Sequence, residues 1–442
     1  MQPDNLLIQT IDNLVQESYK STEPGVAVIV VRDGEIIFRK GHGVANLELG
    51  VSIEPDMVFR IGSVTKQFTA VAILMLAEQG KLSLDDSISK FLSDYPAHDH
   101  LITVKHLLAH TSGIKSYTSM PEWIPLWRKD FTVQELIDFF KYQPMVSAPG
   151  KRWAYNNSGY ILLGAIIEKA SGQSYEQFIK QSIFEPLGMK QSYYDNPSRV
   201  IHRRVAGYDK SSDGFTNAAY ISMTQPYAAG ALASTVDDLV LWDSALYTEQ
   251  LLKLETLKQA HISHRLSDGS STAYGYGWMI SEYAGHPLIE HGGGIHGFRS
   301  RTIRMPDDRV FVAVLSNNGG ASPEKLAFKI AALTIGQPYN EPTPVELQPE
   351  ISTLYEGVYE INTSVEICIT HEGSQFFLQY GEGPRVEIAP LSPNEFFFKD
   401  MSFNRLHFVS NANEDIIAVE IRGRTGIPEI AKKVNKSVPG AS

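Results

Sequence analysis

The sequence predicts an α/β protein in two parts: an antiparallel sheet with a helical subdomain inserted into it, followed by a small antiparallel barrel. Three observations predict this. Strand-like patterns stand at both ends of residues 1–336, with mainly helical apolar spacing between them. A run carrying three prolines, Gln337-Pro-Tyr-Asn-Glu-Pro-Thr-Pro-Val-Glu346, then breaks the pattern as a linker does. Beyond it, short strand-like runs recur about every ten residues, the spacing of a barrel or sandwich.

The elements follow in order. Leu6 to Tyr19 has helical apolar spacing, and Gly25–Val31 and Glu35–Phe38 flank an Asp33-Gly34 turn, a hairpin signature. Helices are expected over Val64–Gln79, Val104–Ala109, Thr132–Tyr142, Gly159–Ala170, Tyr175–Ile183 and Thr235–Leu246. Strands return at Gly277–Tyr283, Leu288–Glu290, Phe298–Met305 and Arg309–Ser316, and a helix from Pro323 to Ile335 closes the first domain. The expected boundaries are a first domain over 1–336 (helical subdomain roughly 64–272), a linker over 337–349 and a barrel over 350–442. The crevice between sheet and helical subdomain is the natural place for a site.

Composition narrows the function. Apolar content of 43% is ordinary for a globular chain, and a net charge of −11 argues against nucleic acid and anionic membrane as partners. No apolar run reaches the ~20 residues that span a bilayer. The start, Met1-Gln2-Pro3-Asp4-Asn5, lacks a basic segment and an apolar core. The chain therefore reads as cytoplasmic by default, or periplasmic or secreted if it is a trimmed mature form. One cysteine, Cys368, excludes an internal disulfide and a Cys-based zinc site.

The most informative stretch is Ser63-Val64-Thr65-Lys66, at the mouth of the apolar run Phe68–Leu76. Residues three apart share a helix face, so the Ser63 hydroxyl would lie one turn from the Lys66 amine, beside the free N–H groups of a helix start. Ser-x-x-Lys occurs four times, but Ser322 reads as a helix N-cap followed by proline, Ser112 follows a turn, Ser87 opens a short amphipathic piece, and only Ser63 leads into an all-apolar helix. Two more motifs follow: Tyr155-Asn156-Asn157, just before a helix, and His291-Gly292-Gly293-Gly294, at a strand end. Three glycines weaken a strand; they make sense where a ligand lies against the backbone, or as a β-bulge or hairpin loop.

These three motifs, in this order, resemble those of the penicillin-binding protein and class C β-lactamase-like serine hydrolases, with their D-aminopeptidase, D,D-carboxypeptidase and family VIII esterase relatives. Leu107-Leu-Ala-His-Thr-Ser-Gly113, Pro186-Leu-Gly-Met189, Ala229-Gly230 and Tyr276-Gly-Trp278 are similar to its members too. The likeness covers roughly residues 10–336, and the tail resembles a lipocalin-like accessory domain. It implies a β-lactamase/transpeptidase-like sheet flanked by helices and no cofactor or metal. It implies a small-molecule or short-peptide substrate and leaves room for a homo-oligomer. It further implies that Ser63 is acylated and that Lys66 and Tyr155 handle its proton. Asn157 would hold Lys66 or a substrate amide, His291 would line the cleft opposite Tyr155, and Gly293 and Gly294 would form the substrate-binding or oxyanion edge.

Which of Lys66 and Tyr155 is the base stays open at this level. Half-neutral lysine at pH 7 needs a drop of about 3.4 units, or roughly 4.6 kcal/mol, within what burial supplies. Where penicillin-processing members have lysine in the third motif, this chain has His291, mostly neutral at pH 7. That weakens recognition of a substrate carboxylate there. A D-aminopeptidase-like peptidase leads, with a family VIII-type esterase or weak β-lactamase, and a non-catalytic sensor, as alternatives. His106 and His110 lie four apart with no third ligand, so a zinc reading is set aside. His296 is a candidate substrate contact, Arg299 and Arg301 are expected on a solvated face, and Trp153, Tyr274 and Tyr276 are expected to pack in the core.

Overall fold

In the computed structural model, residues 3–96, 100–347, 349–362, 365–381, 383–401, 403–423 and 428–436 are described. The chain divides into two compact units, Met1–Ile280 with Ala284–Pro338, and Ser281–Tyr283 with Tyr339–Ser442.

Asp33 and Gly34 both adopt positive φ, 54° and 83°, as a tight two-residue hairpin requires. The hairpin strands Val26–Arg32 and Glu35–His42 end a six-stranded sheet whose order is Met279–Tyr283, His286–Ile295, Phe298–Met305, Val310–Ser316, Val26–Arg32, Glu35–His42. Val26–Arg32 pairs antiparallel with Val310–Ser316 along its whole length, joining the two ends of the first domain. Both strands are buried on both faces, which explains their unbroken apolar composition. The helices Pro3–Ser18 and Pro323–Thr334 pack together, the latter against the sheet. On the other side, Ala27, Ile29, Ala313 and Leu315 join the core of the helical part. The helix Thr65–Glu78 is its centre; it is buried nearly all round, as its lack of a polar face predicts.

The structure departs from the sequence reading in several places. His286–Ile295 is one continuous strand, paired residue for residue with Phe298–Met305 from Ile289 to Ile295, so His291–Gly294 form neither a bulge nor a loop. Phe59–Arg60, Leu232–Ser234 and Tyr193–Tyr194 form a small sheet too short to leave a periodic signal. The Tyr175–Ile183 run is a helix over Tyr175–Ile179 continued by a wider π turn, Lys180–Phe184. In the tail, Pro428–Val434 is a strand that the recurring pattern does not mark; it pairs with both Ile416–Arg422 and Gly357–Asn362 and closes the barrel. Its mostly exposed Pro-Glu-Ile-Ala-Lys-Lys-Val carries no clean alternation; backbone pairing on both edges makes it a strand. A short helix, Pro349–Tyr355, precedes the barrel. Tyr355 enters the barrel core, its ring 4.8 Å from Phe408 and 5.0 Å from Phe396.

Candidate active site

Ser63 sits in a 3-10 turn, Gly62–Val64, that runs into the helix Thr65–Glu78. The turn is clamped from behind. Ile61 N–H donates to Leu232 O at 3.0 Å, and Leu232 N–H donates to Thr65 Oγ1 at 3.1 Å. Gly62 takes positive φ, 50°, and a Cβ there would stand 2.9 Å from Gly294 N. Only glycine lets the Ser63 turn lie this close to the glycine strand.

Lys66 is fully buried, its Nζ 3.0 Å from Ser63 Oγ, 2.9 Å from Asn157 Oδ1 and 2.8 Å from Ala229 O. None of these partners is a carboxylate, and burial holds the amine well below the ordinary lysine range. A neutral amine fits the geometry: it has two N–H groups for the two carbonyl oxygens and one lone pair for the serine hydroxyl. The Tyr155 phenol is hydrogen-bonded to Ser63, and burial pushes it well above the usual phenol range. Lys66 is thus the group driven toward losing its proton, and Tyr155 the one driven to keep it. The Lys66 Nζ also lies 4.8 Å from the Tyr155 ring and 5.3 Å from the Tyr160 ring.

Asn157 is the first residue of the helix Asn157–Ser171, capped by Asn156, whose side chain accepts from Gly159 N. Its amide is oriented at both ends, Nδ2 donating to Thr118 Oγ1 at 3.0 Å. The loop before it is held by His110, a role the sequence reading did not assign: His110 Nδ1 accepts from Asn156 N–H at 3.1 Å. His106 Nδ1 accepts from Thr103 N–H. The two histidines therefore serve backbone donors on different segments. Ala229, the other anchor of Lys66, was read with Gly230 as a family likeness but given no role; it lies on the short helix Tyr227–Gly230, which has no periodicity to read.

His291 is 1% exposed and does not line the cavity at Ser63. Its Nδ1 donates to Gly292 O at 2.6 Å, so Nε2 accepts from the Tyr274 hydroxyl at 2.9 Å. Burial and then the nearby Lys66 depress it to about 3, which leaves a neutral ring 6.1 Å from that of Tyr155. The expectation of a cleft-lining histidine is corrected: it is a buried wedge behind the tyrosine. The glycines have a protein reason as well. A Cβ on Gly293 would meet Ile61 O at 2.0 Å and Ser300 Oγ at 2.3 Å.

A cavity of about 110 Å³ opens on Ser63 and is lined also by Gly294, Asn157, Tyr117, Trp123 and His296. Its aromatic wall is Tyr117 and Trp123; Tyr274 is buried core, as expected. His296 reaches the cavity. Arg301 is not solvated: it is 5% exposed and paired with Glu290 and Glu324. Of the other Ser-x-x-Lys sites, Ser87 caps a turn while Lys90 pairs with Asp86. Among the described residues no cluster of three His, Cys, Asp or Glu could hold a metal, and no helix is long and apolar enough to cross a membrane.

Comparison with known proteins gives the family. Residues 8–334 match the Beta-lactamase family. The chain is 30% identical to penicillin-binding protein 4* of Bacillus subtilis over 85% of this chain and 88% of that one. It is 28% identical to a D-aminopeptidase of Gluconobacter oxydans over 78% of this chain and 65% of that one. Among solved structures, the octameric penicillin-binding protein homologue from Pyrococcus abyssi superposes with a TM-score of 0.68 at 27% identity, covering 98% and 100% of the two chains. The D-amino acid amidase of Ochrobactrum anthropi SV3 superposes with a TM-score of 0.65 at 26% identity, covering 75% and 99%.

Proposed function

We propose, from the premise that the chain belongs to the Beta-lactamase family of serine hydrolases, that it cleaves amide bonds of short D-amino acid substrates through an acyl-enzyme on Ser63. The observation that carries this is Lys66 Nζ, fully buried without a carboxylate, 3.0 Å from Ser63 Oγ. Neutral Lys66 takes the Ser63 proton as Oγ attacks the carbonyl carbon. Backbone N–H groups of Ser63 and Gly294 face the developing oxyanion. Tyr155, held protonated, gives its proton to the departing amine and recovers one from Lys66. Water then cleaves the ester and restores the Ser63 hydroxyl.

The D-aminopeptidase and D-amino acid amidase relatives support an amide substrate. The neutral, buried His291 supports a substrate with no carboxylate at that position. The octameric relative supports self-association, to be tested by light scattering. The deciding experiment compares kcat/KM on a D-alanyl anilide and a short-chain nitrophenyl ester, with Ser63→Ala as blank. Preference for the anilide supports the peptidase reading. Ester turnover with no anilide turnover replaces it by the esterase reading.

A further inference from the structure

We propose that the cavity bordered by Arg60 and Arg204 is a carboxylate-binding subsite adjoining the Ser63 cavity, so that the favoured substrate carries an acidic group beyond its scissile bond. This rests on the reading of Ser63 as nucleophile.

The site begins with a charge imbalance. Asp195 is fully buried, and two guanidinium groups converge on it: Arg60 Nε at 2.6 Å and Arg204 Nη1 at 2.8 Å. One arginine would neutralise one carboxylate; the second leaves the cluster with a net positive charge. Each guanidinium carries five N–H donors in a planar fork, and these bonds to Asp195 use one from each. Arg60 is 17% and Arg204 33% exposed, so part of each fork is open while Asp195 is sealed behind them. The arginines are held in place by a buried anion, as a built subsite requires.

The open side is a cavity of about 220 Å³, lined by both arginines, Gly207, Tyr220, His296 and Phe298. It lies next to the Ser63 cavity. His296 lines both, and Tyr220 in one is followed along the chain by Ile221 in the other. His296 is fixed between them, its Nδ1 donating to Ala219 O at 2.9 Å and its ring 4.4 Å from Trp127. Arg60 itself ends the strand that leads into the Ser63 turn. The Ser63 cavity, by contrast, has no arginine or lysine in its lining. A carboxylate on the substrate would find its planar, bidentate partners in Arg60 and Arg204.

The test measures inhibition of neutral nitrophenyl ester hydrolysis by glutarate and by its diamide, glutaramide, in the full chain. Glutarate is expected to compete at least about tenfold more strongly than glutaramide, the worth of one charge-assisted pair. That discrimination should fall to within about twofold in Arg204→Gln. The same loss is expected in Ala219→Glu, which places a carboxylate at the cavity rim and leaves both bonds to Asp195 intact. Equal inhibition by the two compounds, inhibition by neither, or discrimination that survives both substitutions overturns the subsite. Ester hydrolysis that persists in Ser63→Ala would instead overturn the nucleophile assignment, so the two failures are separable.

Discussion

Gly293→Ala tests whether the glycine strand exists to admit the Ser63 turn. An alanine Cβ would stand 2.0 Å from Ile61 O, where ordinary contact begins at 3.4 Å, so the two backbones must separate by about 1.4 Å. Ile61 cannot yield freely. Its carbonyl accepts from Ser300 Oγ at 2.8 Å and Val64 N–H at 3.2 Å, and its N–H is tied to Leu232 O. Overpacking of this kind costs about 1–3 kcal/mol, and a backbone neighbour puts it at about 3. In a unit of this size that lowers Tm by roughly 4 °C. Displacing Ser63 by ~1 Å should cut turnover about 10²-fold. The neighbours supply the contrast. A Cβ on Gly294 meets the side chain of exposed Arg299, at 2.2 Å from Nη1, so Gly294→Ala should change Tm by less than about 1 °C. Gly292→Ala meets Arg301 Nη1 at 2.7 Å, a buried group tied to two glutamates, and should fall between. Thermal melts and ester turnover on the three variants decide it. A Gly293→Ala protein that melts and turns over like the parent, or a Gly294→Ala protein that melts as low as Gly293→Ala, refutes the reasoning.

Other outcomes follow from the same geometry. Ser63→Ala should cut kcat by at least ~10³-fold with little change in Tm; retained activity ends the assignment. Because burial depresses Lys66, kcat/KM should be present above its folded-state pKa and lost as pH falls through it. Tyr155 is pushed upward, so it adds no falling limb below about pH 10, and a profile that declines between about pH 7 and 9 contradicts the base assignment. Protein stability should rise with pH over the window between the depressed pKa and about 10.4, since there the unfolded chain binds more protons. His291→Lys should lower Tm and yield no β-lactam hydrolysis, because position 291 is 1% exposed beside Lys66 rather than in the cleft; a tenfold gain in chromogenic cephalosporin turnover would reverse that view. Asp195→Asn should destabilise by about 3 kcal/mol, seen in denaturant melts, by leaving two guanidinium groups facing a neutral amide.

What was legible in the sequence was whatever a local pattern encodes. The Asp33-Gly34 turn, the apolar helix behind Ser63 and the runs at both ends of the first domain each carry their signal within a dozen residues. Ser63, Lys66, Tyr155 and Asn157 stand in motifs short enough to read locally, and the structure brings all four together. What was lost was set by pairing across long separations. Leu232–Ser234 is a strand because Phe59–Arg60 and Tyr193–Tyr194 flank it, and Pro428–Val434 because two barrel edges need closing. Ala229 acts through a carbonyl, and a carbonyl has no residue signature at all. The glycines show the limit most clearly. A triple glycine read alone invites a ligand, and only the position of Ile61, two residues before Ser63 and more than two hundred residues from Gly293, gives the protein's own backbone as the occupant. The same approach sets Gly294 against Gly62, beside Ser63, so the close packing that requires glycine also builds part of the cavity wall.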